Sequence, residues 1–153
     1  MTFTISKEFA FSASHQLHGL REGHPCGRVH GHNYIVKVAI SGTTLDTHGF
    51  VVDYGDLKPF GQWIDDHLDH RHLNDVLRGM QPSAENLAKH LHTVLGTLVQ
   101  VPVTTLLAVS VSETPKTWAT YQPRQTRSSS RRCSGRRSKA KAPRLVGGAR
   151  SSG

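Results

Sequence analysis

Residues 2–15, TFTISKEFAFSASH, and residues 30–41, HGHNYIVKVAIS, decide the fold of this 153-residue chain. In both stretches alternate residues are apolar, with Lys7 as an exception, and this period indicates a strand with one buried face. Residues 16–29 separate the two stretches and are rich in glycine, histidine and arginine, which is typical of a loop. We therefore predict two strands that pair antiparallel across this loop.

Two helices and two further strands follow the predicted hairpin. The first helix begins near Asp56, a residue type that caps helices, and carries an apolar stripe at helical spacing. Ser83 can cap the second helix, in which leucine recurs every three or four residues. Residues 69–82 form a connection, and residues 103–113 and 117–122 form strands. The order β-β-α-α-β-β predicts an α+β domain with two helices on one face of a four-stranded antiparallel sheet.

The charge of the chain is divided unevenly between two segments. Residues 1–123 carry nine basic and 11 acidic side chains, a net charge of −2, whereas residues 124–153 carry ten basic and no acidic side chains. The second segment has no aromatic residue and cannot bury enough apolar surface to offset chain entropy. We predict one domain over residues 1–123 and a basic, disordered tail over residues 124–153. The tail is either an RNA-binding arm, because arginine attracts phosphate, or an extension without a function of its own.

Composition excludes several classes of protein. No apolar run reaches the roughly 18 residues that span a membrane. The first nine residues, MTFTISKEF, lack the charged and then apolar layout of a secretion signal. Two cysteines, Cys26 and Cys133, are too few for a disulfide framework. These features predict a protein of the reducing cytoplasm that does not bind membranes.

Three histidines at the ends of the predicted strands have the arrangement of a metal site. His30 and His32 are two residues apart in a strand, so their side chains point the same way and could bind one ion. His15 ends the partner strand and could supply a third imidazole. Three histidines with one open position are typical of catalytic zinc, whereas structural zinc has four protein ligands. His18 and His24 lie nearby, and spacing alone does not exclude them as ligands.

Four other side chains are of types that serve proton transfer or ligand binding. Cys26 lies four residues before His30, so its thiol is a candidate base, and a small buried residue is the alternative. Asp69 beside His70 could orient an imidazole for proton transfer, or form an ordinary polar turn. Glu113 continues the apolar face of a strand, where a carboxylate needs a donor such as the N–C–N edge of a pterin or guanine. The alternative for Glu113 is a strand end that emerges into solvent.

The motifs that carry these residues resemble, in the same order, those of the 6-pyruvoyl-tetrahydropterin synthase and 6-carboxy-tetrahydropterin synthase family. The resemblance runs from Phe3 to Tyr121 and stops before the tail. Ser83 stands where threonine is common in the family, a change that keeps the hydroxyl group. The matching segments are FSASHQL, CGRVHGHNY, VVDYGDLK, LDHRHLND, PSAENLA and VSETPKTWATY.

The resemblance implies the tunnelling fold, whose subunits associate into barrels and usually into hexamers. It also implies an active site that binds zinc and lies between subunits of a homo-oligomer, so that its residues come from different copies of the chain. Seven residues receive roles in that site: the zinc ligands His15, His30 and His32, the proton-abstracting base Cys26, the proton relay Asp69 and His70, and the pterin anchor Glu113.

The substrate that the resemblance implies is 7,8-dihydroneopterin triphosphate. The compact domain and the Cys-x-x-x-His-Gly-His element are similar to bacterial enzymes of queuosine (7-deazapurine) synthesis, which form 6-carboxy-5,6,7,8-tetrahydropterin and release acetaldehyde and triphosphate. The alternative within the family is a 6-pyruvoyl-tetrahydropterin synthase, which eliminates triphosphate from the same substrate. A hypothesis from a different class is a zinc-stabilised module that binds RNA through the tail.

Overall fold

Two 13-residue strands, β1 (Phe3–His15) and β2 (His30–Gly42), pair antiparallel along their whole length. They form the centre of this computed structural model, which describes residues 1–101 and 106–123. The register runs from Phe3 opposite Gly42 to His15 opposite His30, so the predicted hairpin is confirmed. The predicted tail over residues 124–153 lies outside the described residues.

Within residues 1–101 and 106–123 the sheet has five strands, in the order β3-β1-β2-β4-β5. Strands β4 (Leu106–Thr114) and β5 (Thr117–Tyr121) extend it antiparallel beyond β2. On the other side, β3 (Arg71–His72) pairs parallel with β1, which makes the sheet mixed. The expectation of four strictly antiparallel strands is therefore wrong. A two-residue strand is too short to show an alternating pattern, and it forms because β1 offers a free edge to the chain that passes it.

The described part of the chain contains three α-helices, one more than predicted: α1 (Lys58–His67), α2 (Leu73–Val76) and α3 (Ala84–Leu98). The Ser83 hydroxyl accepts a hydrogen bond from the Asn86 N–H at 3.4 Å, so the predicted cap of α3 is confirmed. Asp56 does not cap α1. Asp53 instead accepts the Gly55 N–H at 2.7 Å and caps a short 3-10 turn (Tyr54–Leu57) that leads into the helix.

The core lies between the inner face of the sheet and helices α1 and α3. Large apolar side chains from both layers fill this core, and the burial of each one stabilises the fold by about 1.5–3 kcal/mol. Within the described ranges, no helix is long and apolar enough to cross a membrane. The fully buried core side chains include Tyr34, Val36, Val38, Ile40, Phe60, Ile64, Leu87, Leu91, Leu95, Val109 and Val111.

Candidate metal centre and active site

Three imidazole rings meet at the end of the β1–β2 hairpin. His15 and His30 are cross-strand partners, and His32 lies two residues further along β2 on the same face. The Nε2 atoms of His15 and His30 are 3.0 Å apart. One nitrogen from each of the three rings lies within 4.8 Å of the others, so the cluster could hold a metal ion.

Backbone carbonyl groups fix the tautomers of two of these rings. The Nδ1 atom of His15 is 2.7 Å from the Pro82 carbonyl oxygen, and the Nδ1 atom of His30 is 2.7 Å from the Arg28 carbonyl oxygen. A carbonyl oxygen only accepts, so each neutral ring carries its proton on Nδ1. The two Nε2 lone pairs then face each other at 3.0 Å, which is unfavourable without a cation between them. Two nitrogens bound to one tetrahedral zinc are roughly 3.3 Å apart, so this arrangement fits such an ion.

His32 completes the cluster as an imidazole that could bind a metal ion. Its Nε2 atom is buried and has no hydrogen-bond partner among the described residues. Burial lowers the pKa of His32, against the raising effect of the nearby Glu113 carboxylate. A neutral imidazole with an unsatisfied buried nitrogen is the form that binds a metal.

The other two histidines of this region lie outside the cluster. The Nδ1 atom of His24 accepts a hydrogen bond from the Cys26 N–H at 3.1 Å. The backbone of His18 is held by the side chain of Gln81. Among the described residues, the group able to hold a metal consists of His15, His30 and His32.

Glu113 lies beside the histidine cluster. Its Oε1 atom is 3.9 Å from the His15 Nε2 atom, and its side chain keeps 27 % of its exposure. Glu113 lies where the register between β4 and β5 is irregular, between Val111 and Thr114. Glu113 also lines a cavity of about 340 Å³ together with Ser83. This half-exposed carboxylate can therefore accept hydrogen bonds from a ligand that enters beside the metal.

Asp69 and His70 form a hydrogen-bonded pair at the β3 edge of the sheet. Asp69 Oδ1 accepts the Ser12 N–H at 2.8 Å, and Asp69 Oδ2 lies 2.8 Å from the Nδ1 atom of His70. These hydrogen bonds, chiefly that from Ser12, lower the pKa of Asp69. His70 has a left-handed backbone with φ of 55°, and its N–H donates to the Ser12 carbonyl at 2.7 Å. The carboxylate therefore orients the ring, which is 83 % exposed.

A single cavity of about 880 Å³ brings several of these side chains to one surface. Cys26 is not among its lining residues. It lies in a 3-10 turn (Pro25–Gly27) of the β1–β2 loop, where its carbonyl accepts the Leu17 N–H at 2.9 Å. One copy of the chain thus gathers most of the candidate residues but leaves the thiol apart. The candidate residues that line the cavity are His32, Asp69, His70 and Glu113.

Two amide side chains that sequence reasoning missed hold the end of β1 in place. Asn74 accepts the Gln16 N–H at 2.9 Å and donates to the Gln16 carbonyl at 2.8 Å. Gln81 makes the same pair of hydrogen bonds with His18, both at 3.0 Å. The strand pairing of β1 ends at His15, and among the described residues these amides bond the backbone beyond it. No local pattern reveals these contacts, since the partners are 58 and 63 residues apart.

The fold and the site define a class of protein: an α+β chain with a trio of histidines able to bind a metal, next to a carboxylate and a separate Asp–His pair. Residues 4–124 match the family model described as 6-pyruvoyl tetrahydropterin synthase. The chain belongs to this family of enzymes.

Known relatives agree with this assignment. The chain is 33 % identical over 131 residues to a 6-carboxy-5,6,7,8-tetrahydropterin synthase of Bacillus subtilis, a match that covers 81 % of this chain and 88 % of the relative. It is 36 % identical over 122 residues to the protein of the same name from Synechocystis, covering 76 % and 91 % of the two chains. Among solved structures, Caenorhabditis elegans 6-pyruvoyl tetrahydropterin synthase is similar with a TM-score of 0.71 and 29 % identity, covering 81 % of this chain and 97 % of that one.

Proposed function

We propose that the protein is a zinc-dependent 6-carboxy-5,6,7,8-tetrahydropterin synthase of queuosine (7-deazapurine) synthesis in the cytoplasm. Its substrates are 7,8-dihydroneopterin triphosphate and one water molecule, and its other products are acetaldehyde and triphosphate. The observation that carries the proposal is the cluster of His15, His30 and His32 with Glu113 at 3.9 Å. The names of the Bacillus and Synechocystis relatives support the carboxy product.

His15, His30 and His32 would hold the zinc ion. When bound, Zn²⁺ polarises substrate oxygens and thereby acidifies the neighbouring carbon-bound protons. The Glu113 carboxylate accepts hydrogen bonds from the N–C–N edge of the pterin ring in the adjoining cavity. This anchor places the side chain of the substrate, where the bonds change, beside the histidine cluster.

Proton transfer is assigned to Cys26 and to the Asp69–His70 pair. The thiolate of Cys26 removes a proton from the substrate side chain, and His70 returns one. Asp69 holds the Nδ1 proton of His70, so the Nε2 atom of the exposed ring exchanges protons with the substrate. Cys26 lies apart from the cavity that His70 lines, so we propose a homo-oligomer, of the hexameric kind usual in the family, in which a second copy completes each site.

Product analysis tests the proposed reaction. The zinc-loaded full chain is incubated with 7,8-dihydroneopterin triphosphate, and the products are identified by mass spectrometry. We expect 6-carboxy-tetrahydropterin together with acetaldehyde. A 6-pyruvoyl product without acetaldehyde would instead assign the pyruvoyl reaction, which the name of the C. elegans structure and the family description favour.

The two cysteines of the chain provide a matched test of the base. We expect Cys26→Ala to keep its zinc and its far-ultraviolet circular dichroism spectrum but to lose turnover. The control Cys133→Ala, in the tail, should retain the activity of the parent. Full activity of Cys26→Ala would exclude the thiol as the base.

Membership of an enzyme family favours a catalytic over a structural metal. A zinc-stabilised RNA-binding module would unfold on chelation, and its RNA affinity would depend on the tail. We expect the metal-free chain to stay folded, as judged by its circular dichroism. Loss of the fold together with salt-dependent RNA binding would support the alternative.

A further inference from the structure

We propose that the β1–β2 loop contains a site for a linear oligophosphate, with Arg21 and Arg28 as its cationic ligands. The loop encloses a cavity of about 520 Å³. The identification of the ligand as the triphosphate of the substrate rests on the proposed function. The loop cavity adjoins the cavity at Glu113, since Leu17 lines both. Its lining residues are Leu17, His18, Gly19, Leu20, Arg21, Glu22, Gly23, His24, Gly27 and Arg28.

Both arginines are available to an anion. Within the part of the chain that the structure describes, neither guanidinium has a carboxylate oxygen within 4.0 Å, and both residues are exposed. Glu22 lines the cavity as well but forms no ion pair with them. Guanidinium groups bind phosphate through paired, charge-assisted hydrogen bonds. The lining carries two guanidinium groups and one carboxylate, so the cavity favours an anion.

The backbone of the loop adds further donors. The N–H groups of residues 19–23 donate no hydrogen bond to any acceptor within the described residues. Gly19 and Gly23 have left-handed φ values of 74° and 78°, and a Cβ atom at either position would meet no atom within 4 Å. Successive free N–H groups next to left-handed residues form concave sites for anions.

His24 contributes one more donor. Its Nδ1 atom accepts the Cys26 N–H at 3.1 Å, so the neutral ring carries its proton on Nε2. The ring of this lining residue therefore has an N–H that can act as a donor. The same hydrogen bond links the loop cavity to the turn that contains the candidate base.

The position of the loop suits the leaving group of the reaction. The Arg28 carbonyl accepts the Nδ1 proton of His30 at 2.7 Å, so one residue both supports a metal ligand and presents a guanidinium. The Leu17 N–H bonds the Cys26 carbonyl and closes the loop over the end of β1. The carbon side chain of the substrate would thus lie at the histidine cluster, and the triphosphate at its end would reach the two arginines.

Binding of inorganic triphosphate to the full zinc-loaded chain tests the site. We expect Arg21→Gln and Arg28→Gln each to raise the dissociation constant for triphosphate about tenfold, because each loses one charge-assisted pair of hydrogen bonds. Titration calorimetry measures this constant. Orthophosphate should bind much more weakly than triphosphate. Arg78→Gln, which removes an exposed arginine bonded to the Asp75 carbonyl, is the matched control and should leave the constant unchanged.

Binding at the tail or at the metal is distinguished by further variants. The tail is tested with Arg131→Gln combined with Arg132→Gln, and zinc content is measured before and after each titration because triphosphate chelates metals. Parent-like binding by both loop variants would overturn the proposal, whether the remaining affinity came from the tail or from zinc.

Kinetics separate this site from the proposed function. We expect Arg28→Gln to raise the KM for 7,8-dihydroneopterin triphosphate about tenfold, while inhibition by 7,8-dihydroneopterin, which lacks phosphate, stays unchanged. A KM equal to that of the parent in both loop variants would refute the oligophosphate site without contradicting the proposed reaction. Absence of turnover by the parent would refute the proposed reaction. Binding of triphosphate that depends on the two arginines would still support the oligophosphate site in that case.

Discussion

Asn74 fixes the strand end that carries His15, and its replacement by alanine tests how the candidate metal centre is supported. The side chain makes two hydrogen bonds to the backbone of Gln16, at 2.9 and 2.8 Å. One hydrogen bond contributes about 0.5–1.5 kcal/mol net, so both together contribute about 1–3 kcal/mol. Gln16 is half-buried, so in the variant water can replace part of the lost hydrogen bonding. We therefore expect Asn74→Ala to lower the free energy of unfolding by about 1–2 kcal/mol.

Urea unfolding of the metal-free full chain, followed by tryptophan fluorescence, measures this loss. With a dependence on urea of about 1–3 kcal/mol per molar, the midpoint should fall by roughly 1 M. The affinity for zinc, measured by competition with a chromophoric chelator, should fall about tenfold or more, as is typical when support behind a metal ligand is removed.

Two further variants make the result interpretable. Gln62→Ala removes an exposed amide bonded to the exposed Asp66 at 3.0 Å and should change stability by less than about 0.5 kcal/mol. Asn74→Asp keeps an acceptor for the Gln16 N–H but places its second oxygen against the Gln16 carbonyl, so it should be as destabilised as Asn74→Ala. Parent-like unfolding and zinc affinity in Asn74→Ala would refute the reasoning.

Three other predictions concern the metal, packing and pH. His32→Ala should lose zinc, measured by elemental analysis, whereas the control His67→Ala, an exposed histidine of α1, should retain it. Gly61→Ala should destabilise the fold by about 1–3 kcal/mol, since its Cβ would lie 2.9 Å from the ring of Phe9 in β1. The control Gly96→Ala, whose Cβ would meet no atom within 4 Å, should stabilise the fold by up to about 1 kcal/mol. Urea unfolding midpoints measure both changes. Burial lowers the pKa of His92, so the unfolded chain binds a proton at this residue more readily than the folded chain. The free energy of unfolding should therefore fall as the pH drops below about 6.5. His92→Phe should reduce this fall, measured by urea unfolding at several pH values.

The hairpin was predictable because its signal is local and long. Alternation over 13 residues in each strand fixes which face is buried, and a slip of one residue would turn that whole face to solvent. The same register places His15 opposite His30, so much of the histidine cluster follows from the sequence pattern. The roles of these residues in catalysis stay predictions.

The parts that sequence reasoning missed depend on contacts between distant segments. Strand β3 has two residues and gains its form from pairing with Ala13 and Ser14. Asp53 and Asp56 are the same residue type three positions apart, and the 3-10 turn before α1 decides which of them caps. Adjacency predicted the Asp69–His70 pair, but its anchor on Ser12 lies 57 residues away.

The candidate metal centre therefore depends on a segment with no regular pattern. Residues 69–82, which look like a plain connection in the sequence, pair with β1 through β3 and hold its continuation through Asn74 and Gln81. The same segment ends at Pro82, whose carbonyl fixes the tautomer of His15. Since His15 is almost fully buried, with 1 % exposure, its ring cannot turn to another acceptor without moving this segment. The strand register brings the histidines together, and the connection determines which nitrogen His15 presents to a metal.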